Sequence, residues 1–534
     1  MSTLKKKVAV IGAGASGLTA IKCCLDEGLE PVCFERANYI SGLWHYTDYV
    51  EEGQACVMKS TVINTSKEMM CYSDYPIPAD YPIFMHNKYV DKYFHLYADE
   101  FGLKKYINMN TEVHSIKQSD DYKKSGKWEI VTSSKSAPEK KTHTFDFVLI
   151  CTGHHADKNV PNFVGLDKFK GKVTHTHDYK DYHGYEDKNV LIIGIGNSGG
   201  DVATEISRIS AQTYISTRSG AWIWNRISDG GNPVDMSISI RAPFAIAKKF
   251  PWLFAKITAN KLNARFDHKK YSLQPEFNPM ACHPTVNDEL PNRIAAGSVK
   301  IKANVKEFTE NGAIFEDGTE ITDLDAVVLA TGYIFGFPFL DKNVIDVKDN
   351  KVNLYQYMYP PDLDHKTLAV IGCFQPWGAI MPISEMQCRL ATRVFMDKIK
   401  LPDSTTMWKD IEYKHVQNTQ RYNESKRHTI QVDYITIMDE LAEHIGCKPD
   451  LKTLLLTDPK LAMECLFGPC TPYQYRLQGP GKWKGARESI LTQWERTYKP
   501  LQTRPCKVRE EQSIGMLYVI VVALIAVIVY IIFL

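Results

Sequence analysis

The chain has 534 residues, 44% of them apolar and 24% charged, and a formal net charge of +2. It is too long for one hydrophobic core, so two to four structural units are expected, and its near-neutral balance leaves no electrostatic footprint for nucleic acid. The 13 cysteines contain no CxxC spacing, which argues against a redox-active dithiol and a zinc site and reads as reduced, buried thiols.

At the N-terminus, Lys5-Lys6-Lys7 precedes an apolar stretch and so imitates a signal peptide. The stretch is too short for one and runs at once into glycines; Lys7 to Ile11 is predicted to be a strand instead. Gly12-Ala13-Gly14-Ala15-Ser16-Gly17 follows, and then a helical pattern over Leu18 to Leu25. This is G-x-G-x-x-G in a strand–turn–helix context. Gly12 permits the turn, Gly14 lets backbone approach a pyrophosphate, and Gly17 lets helix and strand pack closely, with Ser16 inside the same turn. The helix N-terminus adds partial positive charge. A second strand, Glu30 to Phe34, ends at Glu35, placed to accept from ribose hydroxyls. Gly42, Leu43 and Trp44 continue a pattern typical of FAD-binding units rather than NAD-binding ones.

The motif returns after Val190 to Ile193 as Gly194-Ile195-Gly196-Asn197-Ser198-Gly199, with its helix over Asp201 to Ile209. The next strand, Thr213 to Ser216, ends in Thr217-Arg218 with no acid. An acid there would repel a 2′-phosphate, whereas a hydroxyl and a guanidinium bind one, so NADPH is expected over NADH. Arg226 is a second candidate clamp, and a solvated surface arginine is the plain alternative for Arg218. Two segments, Phe147 to Gly153 and Ala326 to Tyr333, read as strands that close the two folds.

Further on, Arg241 to Lys261 mixes Phe244, Ile246, Phe250, Trp252, Leu253 and Phe254 with Lys248, Lys249, Lys256 and Lys261. It fits a membrane-surface helix or substrate entrance and fits equally a helical pair packed on the second nucleotide fold. Thr392 to Lys499 reads as mixed helices and loops, broken at Thr457-Asp458-Pro459. From Gly515 to Leu534 there is no charge and no proline. That length of helix spans about 30 Å, the thickness of bilayer hydrocarbon, and Lys507 and Arg509 suit a cytosolic flank. A single-pass C-terminal membrane anchor is expected, with the catalytic mass cytosolic and the Asn64 and Asn423 sequons unglycosylated.

The predicted architecture is α/β. Two Rossmann-like dinucleotide-binding domains are expected, the NADPH domain inserted in the FAD domain, with a C-terminal transmembrane helix. Residues 1–157 form the first part of the FAD domain. Residues 158–334 form the NADPH domain, with an amphipathic insertion at about 235–275. Residues 335–505 return to the FAD domain, and 514–534 are the anchor.

Between the folds, Phe169-Lys170-Gly171 through His175 and Tyr179 matches F-x-G-x-x-x-H-x-x-x-Y. With both glycine motifs, the Ala-Thr-Gly-Tyr segment at 330–333 and the apolar tail, the chain resembles the vertebrate flavin-containing monooxygenases over its whole length. It departs at His177, where that family usually has arginine. The resemblance implies FAD and NADPH as cofactors and O2 as co-substrate. A C4a-(hydro)peroxyflavin would oxygenate nucleophilic N or S atoms of small lipophilic xenobiotic amines and sulfides at the endoplasmic reticulum membrane. It implies that Asn64, followed by Thr65, lies beside the flavin and supports the peroxide; locally the same residues read as an Asx turn or helix cap. Gln375 resembles a flavin-neighbouring residue, and Glu385 could line the same region. His175 is expected to position NADP between domains rather than to exchange protons. Within the family, Asn64 to Met70, Cys151 to His155 and His283 to Asp288 resemble most the fifth vertebrate branch, which implies Baeyer–Villiger oxidation of ketones to esters as an alternative. NADPH oxidase activity releasing H2O2 is another, and homo-oligomers are compatible. No paired-cysteine motif supports a flavin disulfide reductase, and a dinucleotide-binding scaffold without turnover is the non-enzymatic rival.

Overall fold

The structure is a computed structural model that describes residues 5–422 and 429–505. Two five-stranded sheets organise it, and every pairing in both is parallel. Their inner strands are short buried runs rich in Val, Ile, Leu and Ala, whereas edge strands such as Lys172–His175 and Val299–Lys302 are more polar and partly exposed.

In the first sheet the spatial order is Leu368–Val370, Phe147–Ile150, Lys7–Ile11, Glu30–Phe34 and Ile107–Asn108. In the second it is Lys172–His175, Ala326–Leu329, Asn189–Ile193, Gln212–Ser216 and Val299–Lys302. The two orders correspond position by position, with one difference. The edge strand of the first sheet arrives last in the chain, whereas that of the second, which carries His175, arrives before the rest. All five strands of the second sheet lie in the chain between Ile150 and Leu368, so the second fold is threaded through the first.

Each fold also makes a three-stranded antiparallel excursion before the parallel strand that returns beside its central one. One covers Thr111–Gln118, Trp128–Ser134 and Ala137–Phe145; the other covers Val305–Thr309, Gly312–Phe315 and Glu320–Ile321. The chain crosses between the sheets twice, and the crossings pair antiparallel at Asp157–Lys158 and Tyr333–Ile334.

The helix Ala15–Asp26 packs against Ile380–Phe395, the most thoroughly buried helix of the C-terminal region. Beneath them lies a locked set of charges. Arg476 donates to Glu385 at 2.5 Å and to Asp74 at 2.9 Å, while Lys22 meets Asp74 at 2.5 Å and the backbone and hydroxyl of Ser73 bind Glu385 at 2.6 and 2.7 Å. Glu385, expected to line the flavin region, is therefore spent on this network. Buried charges are tolerated only when paired and hydrogen-bonded in this way.

The 241–261 stretch folds as two helices, Arg241–Lys249 and Pro251–Arg265, with the proline starting the second. Arg241 anchors the pair through Asp439, and Leu262 packs with Trp222 and Trp224. The opposite face leaves Phe250, Trp252 and Ile257 exposed. Among the described residues no helix is long and apolar enough to cross a membrane; the expected anchor at 514–534 and the Asn423 sequon lie outside the described residues. Likewise among the described residues all cysteines are free and no cluster could hold a metal ion.

Candidate active site

Both glycine turns have the geometry a dinucleotide needs. Gly12 adopts φ +99°, and a Cβ on Gly17 would lie 1.8 Å from the Gly12 carbonyl oxygen, so helix and strand meet backbone to backbone. Gly194 and Gly199 repeat this, with φ +106° and a Cβ position 2.1 Å from Gly194 O. The helices Ala15–Asp26 and Asn197–Ile206 begin after Gly14 and Gly196, and no side chain among the described residues caps either. Their first N–H groups are left for an anionic ligand.

Around the first turn, the Ser41 N–H donates to Ala13 O, and the short turn Gly42–Trp44 brings Gly42 against Gly14. Leu43 O accepts from Val57, and Trp44 packs on the core. Glu35 accepts from the Ala13 and Ala37 N–H groups at 2.7 and 2.8 Å. Burial raises its carboxyl pKa, and these backbone donors oppose the rise. Ser16 Oγ donates to Ser384 Oγ at 3.1 Å, tying the turn to the start of helix Ile380–Phe395.

The two units face each other across the segment that follows Thr61. There Asn64 Oδ1 is buried without a hydrogen-bond partner among the described residues, and Thr65 beside it is half-buried. Gln375, at the start of strand Gln375–Trp377, stands 3.3 Å from His283 Nε2. His155 lies near, pushed well below the usual histidine range by burial and by His154 and His283. Trp377 of the first unit meets Trp224 of the second, and both indole N–H groups are buried without partners among the described residues. The glycine turns and uncapped helix starts fit a dinucleotide in each unit, and orphaned polar atoms lie where the two units touch.

In the second fold Thr217 Oγ1 accepts from Gly220 N–H, and Arg218 beside it is exposed, free to meet a phosphate. Ser198 is exposed at the helix start, whereas Asn197 is a brace: its Oδ1 accepts from Val286 N–H at 2.7 Å and its Nδ2 donates to Pro284 O at 3.3 Å. Arg226, the second candidate clamp, already has partners. Its guanidinium binds Asp288 at 2.8 Å, Val62 O at 3.2 Å and Ile63 O at 3.4 Å. With those partners it ties Asp288 of its own unit to the backbone of the first, and does not stand free for a phosphate as Arg218 does. His175 is buried, and its Nδ1 accepts from His177 N–H at 3.0 Å. Residues that sequence reasoning did not assign are Asp235, Trp224 and Trp377. None lies in a spaced motif; only long-range contacts reveal them.

A family profile described as "Flavin-binding monooxygenase-like" matches residues 5–534. Flavin-containing monooxygenase 5 of Homo sapiens is 54% identical over 503 residues, covering 94% of each chain. "Dimethylaniline monooxygenase [N-oxide-forming] 2" of Oryctolagus cuniculus is 47% identical, covering 96% of each. Among solved structures, the S-allyl-L-cysteine S-oxygenase of Allium sativum superposes with TM-score 0.63 at 23% identity, covering 93% of this chain and 100% of that one. Cyclohexanone monooxygenase of Rhodococcus sp. Phi1, bound to NADP+, gives TM-score 0.58 at 17% identity, with 83% and 98% covered. These two share the fold. The chain belongs to the flavin-containing monooxygenase family. It is a flavin-dependent monooxygenase with FAD and NADPH as its cofactors.

Proposed function

We propose that the protein oxygenates nucleophilic N or S atoms of small lipophilic molecules, xenobiotics among them, with FAD in the first fold and NADPH in the second. The observation that carries this is the buried, unpartnered Asn64 Oδ1 at the boundary between two cradles of matching construction. Bound there, FAD would supply the chemistry: acceptance of hydride from NADPH and, with O2 and a proton, transfer of one oxygen atom to the substrate and release of the other as water. The chain's own work is to bind, align and exclude water. Gly12, Gly14 and Gly17 admit the FAD pyrophosphate, and Glu35 holds the turn and faces the ribose. Gly194, Gly196 and Gly199 do the same for NADPH, with Thr217 and Arg218 for its 2′-phosphate. Asn64 supplies an amide at the reacting end, and Gln375 flanks it.

A second reading, oxidation of ketones to esters, is supported by the histidines around Gln375. Burial lowers the pKa of His154 and His155 and keeps both neutral, so neither is an imidazolium able to hand a proton to the reacting oxygen, which favours its acting as a nucleophile. Attachment to the endoplasmic reticulum membrane is part of the same proposal. Its support is the apolar run at 515–534 and the exposed Phe250, Trp252 and Ile257 beside Lys248, Lys249 and Lys256.

The test is turnover of the detergent-purified, flavin-loaded protein with NADPH, air and, separately, a sulfide, a tertiary amine and a cyclic ketone. Sulfoxide and N-oxide as main products support the first reading, and ester supports the second. NADPH consumption balanced entirely by H2O2 defines an oxidase and overturns both. No NADPH consumption leaves a binding scaffold.

A further inference from the structure

Asn64 is held in place from the opposite unit. Arg226 and Asp235 stand at the two ends of one loop, whose base is closed by Val234 N–H donating to Arg226 O at 2.8 Å and by a bridge between Ile227 and Pro233. Arg226 follows the strand Ile223–Trp224, which pairs with Thr285–Val286 of the second unit, and Asp235 lies in the helix Val234–Ile238. From this loop the Arg226 guanidinium reaches the carbonyls of Val62 and Ile63. Asp235 Oδ2 accepts from both the N–H and the hydroxyl of Ser66, at 2.7 and 2.9 Å. Asn64 and Thr65 are thus bracketed, gripped before by a cation and after by a carboxylate.

We propose that Arg226 and Asp235 are positioning residues for Asn64, so that its amide is presented to the reaction only while the two nucleotide units are docked. This rests on the role given to Asn64 above. The grip is strong because it is dry. Asp235 is buried, and its other oxygen accepts from Met236 N–H at 3.0 Å. Asp288 holds Arg226 from behind through both its side chain and the Arg226 N–H. Hydrogen bonds to a charged, desolvated partner are roughly twice as strong as neutral ones. The flanks of the bracketed stretch are tied to its own unit, Ile63 N–H to Met85 O and Lys67 N–H to Ile83 O. Between them the Ser66 carbonyl accepts from its own short helix at Met69 and Met70, while the Ser66 N–H and hydroxyl are held from across the boundary.

The experiment uses the flavin-loaded protein with D235N, D235A and R226M, and N64A as reference. Two quantities are read: hydrogen exchange of peptides covering residues 61–67, and the share of NADPH electrons appearing as H2O2. Losing one bond to a charged partner should raise exchange there by about 10- to 100-fold. The H2O2 share should rise toward that of N64A, with D235N between wild type and D235A, while the rate of flavin reduction by NADPH stays within about twofold, since the variants leave the nucleotide cradles intact. Unchanged exchange at 61–67 overturns the proposal. So does exchange that rises equally in the strands Lys7–Ile11 and Asn189–Ile193, because that is general destabilisation. Raised local exchange with unaltered H2O2 release refutes the positioning role. If N64A itself is fully coupled, the assigned role of Asn64 fails, and the exchange measurement still decides whether the grip exists.

Discussion

Trp224 and Trp377 meet edge to face, their ring centroids 5.7 Å apart and their planes at 83°. One ends the strand that leads to Arg226, and the other ends the strand that begins at Gln375. The contact therefore fixes the spacing between the two halves of the site. An edge-to-face pair contributes about 0.5–1.5 kcal/mol beyond the area it buries. A double-mutant cycle with W224L and W377L, read by denaturant midpoints, should return a coupling energy in that range. A value of zero would reduce the pair to mere neighbours.

The two glycine turns should fail separately. In Gly17→Ala the new methyl group meets the Gly12 carbonyl, and in Gly199→Ala it meets the Gly194 carbonyl. Both obstacles are backbone, so the turns must open, at a cost of about 1–3 kcal/mol. G17A should lose most of its bound flavin, seen as a fall in visible absorbance per chain. G199A should keep its flavin and be reduced by dithionite, yet be reduced slowly by NADPH. Identical phenotypes would contradict the allocation of one cofactor to each turn.

Arg218 should decide between the two nicotinamide cofactors. Bonds to a charged phosphate contribute about 1.5–3 kcal/mol, so Arg218→Ala should raise KM for NADPH by about 10- to 100-fold. KM for NADH, which lacks the phosphate, should hardly move. Equal losses with both cofactors would make Arg218 a general surface residue. Arg226→Met should not produce this selective loss, because its partners are Asp288 and two carbonyls.

His175 imposes a pH dependence on stability. Its pKa is lowered to about 4, mainly by burial, and its Nδ1 is already occupied as an acceptor for His177 N–H. Unfolding frees it to protonate near its ordinary value of 6.5. Between those values the unfolded chain binds more protons, so this residue's contribution is full above about 6.5 and is lost as pH falls toward 4. Denaturant midpoints of the wild type should therefore fall more steeply over that window than those of His175→Gln. Parallel curves would place the protonation elsewhere.

How far the sequence disclosed this follows from the range of each interaction. Gly12 to Gly17 and Gly194 to Gly199 are legible because their constraint is steric and local: strand, turn and helix lie within about twenty residues. Thr217 and Arg218 are legible because they follow their strand directly. Arg226 looked like a free cation because its partners, Asp288 and the carbonyls of Val62 and Ile63, are far away in the chain. Asp235 gives no signal at all, being a single acid in a short helix whose meaning depends on Ser66. The same limit hid the fate of Glu385, which the Arg476 side chain claims from the far end of the sequence. The antiparallel excursions lack a spaced motif, and their polar outer faces resemble loop.

The antiparallel crossing at Asp157–Lys158 and Tyr333–Ile334 has a further consequence. Asp157 stands opposite Ile334 and Lys158 opposite Tyr333, about 5 Å apart as paired strands must be. The entry and exit of the threaded fold are thus neighbours, the arrangement that lets one module be inserted in another while the host sheet keeps its strand order. The chain is in this sense one sheet fold written inside another, its entry and exit sharing a single doorway.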